Sequence, residues 1–317
     1  MIWDPSILAQ LAWTGVANAS FTCLFAISLA LVLKVNRVWN FAQAGMMVVA
    51  YGCMLAVARP FGLPAALVFG LAATIGFSLA LERFGFRPLR RRGSSSLTFF
   101  IFTLVVSQLC IYVAELIFGT APTTLLDGVV GSISLIGNVA VSDWDLRAIG
   151  VTAALVAFLA IFLRLTRWGQ RLIAVADSPD LAELYGTSRD TAYAIAMTLA
   201  AVMTTVGMLL LGTKTATVPA SPLQEFLVQA LLATILAGVG NVFAAGVAAV
   251  VVGVGQSFAV LFMASKWTPL LVYALMAVAI VLFPAGVSPG ALGVRAVGLR
   301  ARALARRRHA NRLKCQS

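Results

Sequence analysis

Asn40, Gln43, Ser107, Gln108, Gln229 and Gln256 are uncharged polar side chains lying in or beside long apolar runs. Their chemistry is hydrogen bonding, either to a small solute passing along the chain or to a neighbouring helix. Asn40 and Gln43 are three residues apart, which puts them on one face of a helix, and Gly45 lies next to them. That makes Asn40, Gln43 and Gly45 the best cluster for a polar path, with Ser107, Gln108 and Gln229 as further candidates. Any of these groups can instead hold two helices together, for ~0.6–2 kcal/mol. Residues for more reactive chemistry are missing. The only histidine is His309, so a His-dependent Ser or Cys mechanism inside the apolar runs is excluded. There is no H-E-x-x-H for zinc and no G-x-x-x-x-G-K-S/T for ATP; the nearest string, Gly212-Thr213-Lys214-Thr215, lacks the first glycine. No metal, cofactor or catalytic set is expected. Glu115 lies about a turn from the end of its run, and Glu82 and Glu225 sit at run ends. No acid occupies the middle of a run with a partner, which argues against an ion-coupled carrier.

The elements that position these groups are hydrophobic. Of 317 residues 61% are hydrophobic and 11% charged, and the mean hydropathy is +0.98. A soluble domain could not hide so much apolar surface. The runs are also about 20 residues long, as a ~30 Å hydrocarbon core requires. They fall at Ile7–Leu33, Val38–Ala58, Gly62–Leu81, Leu97–Gly119, Leu146–Leu163, Thr191–Gly212, Glu225–Val239, Val242–Met263 and Pro269–Phe283. The expected fold is an all-α polytopic bundle of eight or nine spans: one transmembrane domain over 1–290 and a basic tail over 291–317. Alternate loops and the tail hold 19 of the 23 lysines and arginines. By the positive-inside rule this places the C-terminus in the cytoplasm and the N-terminus outside. The net charge of +12 is therefore topological, with a tail that can touch anionic lipid, and no nucleic-acid partner is expected.

Three segments break the apolar pattern. Glu225–Met263 as one helix would be nearly 60 Å long, about twice the core, so it must turn, and Gly238–Asn241 is the place. It becomes two short spans, or one span and a re-entrant segment. Pro122–Ser142 alternates apolar and polar residues, as a small hairpin or a lid on the outer face would. The residues before the first run carry no positive charge, so that run reads as an uncleaved span. The four cysteines form no framework.

The third segment, Thr166–Asp190, is a polar island with Arg167, Arg171, Arg189 and four acids. Within it Ser178 can cap a helix that starts at Pro179 and stops at Gly186, with Leu181, Leu184 and Tyr185 on one face. So short a helix is marginal alone and needs a surface to dock on.

Four stretches resemble the permease subunits of branched-chain amino acid ABC importers. Val35-Asn36-Arg37-Val38-Trp39-Asn40-Phe41-Ala42-Gln43-Ala44-Gly45 is similar to that family's V-x-N-F-A-H-G region. The second is Leu81-Glu82-Arg83 with Arg87-Pro88-Leu89-Arg90. The third is the polar island, with Gly169, Ala174, Asp177, Ala182 and Gly186 in matching places, and the fourth Ala237-Gly238-Val239-Gly240-Asn241 with Gly246. Gln43 replaces the usual histidine, Met46 an acid, and Ile173 the arginine before Ala174; 283–290 departs from the family's usual ending. The resemblance implies a permease that pairs with itself or a sister permease. It is driven by two cytosolic ABC ATPase subunits and served by an extracytoplasmic solute-binding protein. The island would be the ATPase-coupling element, through Gly169, Arg171, Ala174, Asp177, Pro179, Asp180, Leu181, Ala182, Leu184 and Gly186. Such a protein resides in the inner membrane. The alternative is an ion-coupled transporter or channel that works without an ATPase.

Overall fold

The computed structural model describes residues 5–119, 125, 133–136, 139–214, 223–238, 240–261 and 267–282. The tail 291–317 and the 283–290 ending lie outside these. In chain order come α1 (Pro5–Asn36), α2 (Gln43–Ala80), a π-helical turn (Leu81–Phe86), α3 (Arg87–Arg91) and α4 (Ser96–Phe118). A hairpin follows, β1 (Ile133–Ile136) and β2 (Val139–Ser142). Then come α5 (Asp143–Leu165), α6 (Arg167–Asp177), α7 (Pro179–Leu184), α8 (Arg189–Lys214), α9 (Leu223–Ala237), α10 (Val242–Ala259) and α11 (Thr268–Leu282).

Six of these helices are long and apolar enough to cross a membrane, counting Gln43–Arg91 as one. That one is not straight. Gly62, between Pro60 and Pro64, has φ +80°, outside helical geometry. The chain doubles back there: a Cβ on Gly70 would lie 2.6 Å from Cγ of Met54, which a straight helix would hold about 24 Å away. With the shorter apolar helices α9 and α11, every run read from the sequence appears as a helical segment.

α1 is apolar on all sides, so it has no face to offer water and belongs inside. Nearly every residue from Ala17 to Val35 is buried, and α5, α6, α8, α9 and α10 all pack on it. α9 and α10 separate at Gly238 and Gly240, both with positive φ. Asn241 then caps α10, its Oδ1 accepting from Ala244 N at 3.2 Å.

The hairpin pairs Ile133 with Ser142 and Ile136 with Val139. Gln10 pins it to α1: its amide donates to Ala140 O (3.1 Å) and accepts from Ala140 N (2.7 Å), as a neighbouring strand would. α5 begins in a capping box of Ser142 and Asp145. Asp145 also accepts from Trp13 (3.3 Å) and pairs with Lys214 (3.3 Å). This is the hairpin end of the bundle. Arg37, α3, α6 and α7 lie at the other, basic end.

Two local expectations are corrected. Asn40 and Gln43 do not share a helix face. α1 stops at Asn36 because Arg37 takes a left-handed conformation (φ 55°), and Asn40 lies in the turn ahead of α2. The α7 helix forms where expected, but the Ser178 side chain makes no cap hydrogen bond. Pro179 at the first position and Asp180 in the first turn start it instead.

Candidate functional site

The polar island folds into two helices. Thr166, after the end of α5, caps α6: its hydroxyl donates to Phe162 O (2.6 Å) and accepts from Gly169 N (3.0 Å). α6 is strongly amphipathic. Gly169, Leu172, Val175 and Ala176 are buried, and Ile173 packs partly on the core. Apolar packing therefore occupies Ile173, where the resembled family has arginine. Arg171 stacks on Trp168, its guanidinium 4.9 Å from the ring, above a hollow of about 130 Å³ reaching Gly186 and α8. The Ala174 carbonyl closes the helix end, accepting from Ser178 N (3.0 Å).

Arg37 ties this end down. It donates to Ala176 O and Asp177 O, both at 3.1 Å, and so satisfies last-turn carbonyls of α6 from the end of α1. α7 then presents Leu181, Leu184 and Tyr185, which are 58%, 83% and 87% exposed, while Ala182 is buried beneath them. Gly186 (φ 79°) ends it with two turn bonds, Gly186 N to Glu183 O and Thr187 N to Ala182 O. Arg189 at the start of α8 clamps it to Asp180 (2.8 Å) and Glu183 (2.5 Å).

A buried charge cluster lies beside these helices. Glu82, on the π-helical turn, pairs with Arg90 and accepts from Asn36 Nδ2 at 3.4 Å. Arg90 lies 4.2 Å over the Tyr193 ring of α8, and Arg87 pairs with Asp190 (2.6 Å). The ends of α1, α2 and α8 thus meet in one ionic knot. Its sequence signals were a Glu at the end of an apolar run with a basic residue eight further on, and the resemblance of Leu81-Glu82-Arg83 with Arg87-Pro88-Leu89-Arg90.

The polar-path residues do not converge on one place. Asn40 is buried in its turn, its amide against Met46 Sδ at 4.0 Å. Gln43 is buried and donates to Phe25 O on α1 (2.9 Å). Gly45 lets α2 approach α4, since a Cβ there would lie 3.2 Å from Cys110 Sγ and 3.5 Å from Ser107 Cα. Ser107 is buried in that contact, whereas Gln108 faces outward at mid-length of α4. Gln229 is elsewhere, on an open cavity of about 230 Å³ near the hairpin end, bounded by α1, α8, α9 and α10. Asn18, Thr22, Lys214 and Gln256 supply its other polar groups, and Phe21 and Phe226 pack edge to face at 5.7 Å on its apolar side. Asn18 and Thr22 are polar residues inside the apolar run Ile7–Leu33, the same signal that marks Gln229. Among the described residues no group of three His, Cys, Asp or Glu could hold a metal.

A bundle of apolar helices around a buried α1, with an amphipathic pair of helices exposed at its basic end, is a multi-pass membrane transport component. The chain belongs to the family described as branched-chain amino acid transport system / permease component, whose pattern matches residues 11–281. It is similar to LivH of Salmonella typhimurium, a high-affinity branched-chain amino acid transport system permease protein. The two are 25% identical over 217 residues, which cover 66% of this chain and 68% of LivH. LivH of Escherichia coli K12 is 25% identical over 139 residues, 43% of this chain and 44% of its own. Among solved structures, PsaBC from Streptococcus pneumoniae in complex with Fab aligns with a TM-score of 0.47 at 15% identity. That alignment covers 87% of this chain and 91% of the other.

Proposed function

We propose that this chain is the membrane-spanning subunit of an ATP-driven ABC importer. It translocates branched-chain amino acids, or a related small polar solute, handed over by an extracytoplasmic binding protein. The basic end, with α6 and α7, faces the cytoplasm and the N-terminus lies outside, as the positive-inside asymmetry favours. Two ATPase subunits supply the hydrolysis for which this sequence has no P-loop.

The observation that carries the reading is the exposed apolar face of α7. Leu184 and Tyr185 stand almost fully in solvent and Leu181 more than half so, on and just after a helix of six residues, yet Arg189 and Gly186 fix its position. A short, rigid, apolar helix fits a groove on a partner subunit. Arg37 would carry its displacement to α1, and Arg189 would carry it to α8. Leu184→Asp is expected to cut uptake at least tenfold and to reduce co-purification of the ATPase subunits, because central apolar anchors are worth about 2 kcal/mol or more. Membrane insertion should be normal. Unchanged uptake with Leu184→Asp overturns the docking role.

Pairing with a second permease chain is supported by Gln108. An outward-facing amide at mid-length of a membrane helix is costly against lipid and favourable against a polar partner. In a background without the native cysteines, Gln108→Cys is expected to cross-link to a chain of permease size in native membranes. Labelling by a lipid-phase reagent with no such product would place this face against lipid.

A further inference from the structure

We infer that the hollow between α6 and the start of α8 holds the phosphate of an anionic phospholipid, with Arg171 as its counter-ion. The importer reading above sets only which leaflet supplies that lipid. Arg171 stands on the hollow's wall with its guanidinium 4.9 Å from the Trp168 ring. A guanidinium held over a ring keeps its in-plane N–H groups for a second partner. Thr187, Ser188 and Thr191 bring three hydroxyls to the same wall. Ser188 Oγ accepts from Thr191 N at 3.4 Å, which leaves its own proton to donate. One guanidinium and a set of hydroxyls are the donors that phosphate oxygens take.

The four acids of the polar island are placed elsewhere. Arg189 holds Asp180 and Glu183, and Arg87 holds Asp190. Asp177 lies on a separate hollow with Lys34 and Arg37. The island therefore gives Arg171 no carboxylate, and an anion from outside the chain fits it.

The rest of the wall favours a lipid over a free ion. Leu172 and Ala192 are buried beneath the polar rim, and Ile195 packs partly on the core. The hollow also lies at the level of lipid head groups. The apolar run of α5 ends at Leu163 and that of α8 opens at Thr191. The half-exposed Trp168 ring is then at the interface, where indoles are enriched. Phe158, Ile161 and Leu165 are exposed at helical spacing on α5, and this stripe stops three residues before Trp168. It gives an acyl chain a surface to follow while the phosphate reaches Arg171. Basic pockets between helices at the cytoplasmic surface suit anionic head groups. Arg171 repels the cation of a choline head, so a lipid of net negative charge is preferred.

The test is a lipid titration of the purified full-length chain in detergent, read by native mass spectrometry and by the thermal unfolding midpoint. Phosphatidylglycerol is expected to give a retained lipid adduct and a higher midpoint. Phosphatidylcholine and inorganic phosphate at equal concentration should give neither. Arg171→Gln should weaken phosphatidylglycerol binding about tenfold or more, as the loss of charge-assisted hydrogen bonds does. Arg171→Lys, which keeps the charge without the planar fork, should recover part of the affinity. Arg92→Gln removes the same charge from an exposed position outside the hollow and should change the affinity by less than about twofold. Equal losses in Arg171→Gln and Arg92→Gln would reduce the effect to net charge and overturn the site. An equal midpoint rise with inorganic phosphate would assign the hollow to a free ion, and an equal rise with phosphatidylcholine would remove the anionic preference; either overturns the proposal. Co-purification of the ATPase subunits keeps the two readings apart. Their loss in Arg171→Gln with lipid affinity unchanged assigns Arg171 to the partner protein and overturns the lipid site. Lost lipid affinity with the ATPase subunits retained supports the site and leaves the importer reading intact.

Discussion

Glu82→Ala is expected to lower the stability of the purified chain by about 3–5 kcal/mol, the largest single loss outside the apolar core. The Glu82 side chain is 6% exposed and that of Arg90 20%, so neither can recover its hydration if the other is removed. Arg90→Ala should cost a similar amount for the mirror-image reason, and it also strips the cation from the Tyr193 ring. The double replacement Glu82→Leu with Arg90→Met leaves no unpaired charge and should regain most of the loss. Chemical denaturation in detergent of the two single variants and the double variant measures this. A double variant as unstable as the sum of the two singles would show that the pair is not coupled. Because Asn36 of α1 and Tyr193 of α8 also touch this pair, its loss is expected to loosen the basic end specifically, with amide exchange rising first in the π-helical turn.

The apolar segments were legible because a bilayer imposes a length and a composition. Each run of about 20 apolar residues became a helix, and the turn at Gly238 to Asn241 fell where two glycines and a capping asparagine allow one. Alternation narrowed 122–142 to a hairpin or a lid, and 133–142 forms the hairpin. Contacts that depend on a single side chain meeting a distant backbone were not. No local pattern announces that Arg37 would turn left-handed and cap α6 across 140 positions, or that Gln10 would serve β2 as a neighbouring strand. α6 is an instructive case. Its apolar residues Leu172, Val175 and Ala176 follow a helical period, but they sit among arginines and acids, so the segment reads as polar overall. The polar-path candidates scattered for a related reason. Polarity within an apolar run marks a constraint, and a helix contact such as Gln43 on Phe25 O satisfies it as fully as a solute would.

Gly169→Ala should nearly abolish uptake while the bundle stays folded. An added Cβ would lie 2.2 Å from Phe162 O, 2.6 Å from Leu163 Cα and 2.8 Å from Leu163 O. All three are backbone atoms at the end of α5, and no rotamer change can clear them. α6 must therefore lift away from α5 by roughly 1 Å to reach ordinary contact distance. That shift breaks the Thr166 cap, whose 3.0 Å bond is made to Gly169 N itself, and draws the last-turn carbonyls away from Arg37. The cost to stability is modest, about 1–3 kcal/mol as for other overpacked sites, because α6 lies at the edge of the bundle. With the docking role proposed for α7, the cost to transport is larger, since α7 and its exposed leucines ride on α6 and a misplacement of about 1 Å would spoil a docked fit. Gly76→Ala is the control: nothing lies within 4 Å of a Cβ there, and uptake should match the parent. Measuring uptake, membrane level and ATPase co-purification for both variants separates displacement of the docking helix from general damage. If Gly169→Ala transports as well as Gly76→Ala, then α6 is not a rigid arm between the bundle and its partner.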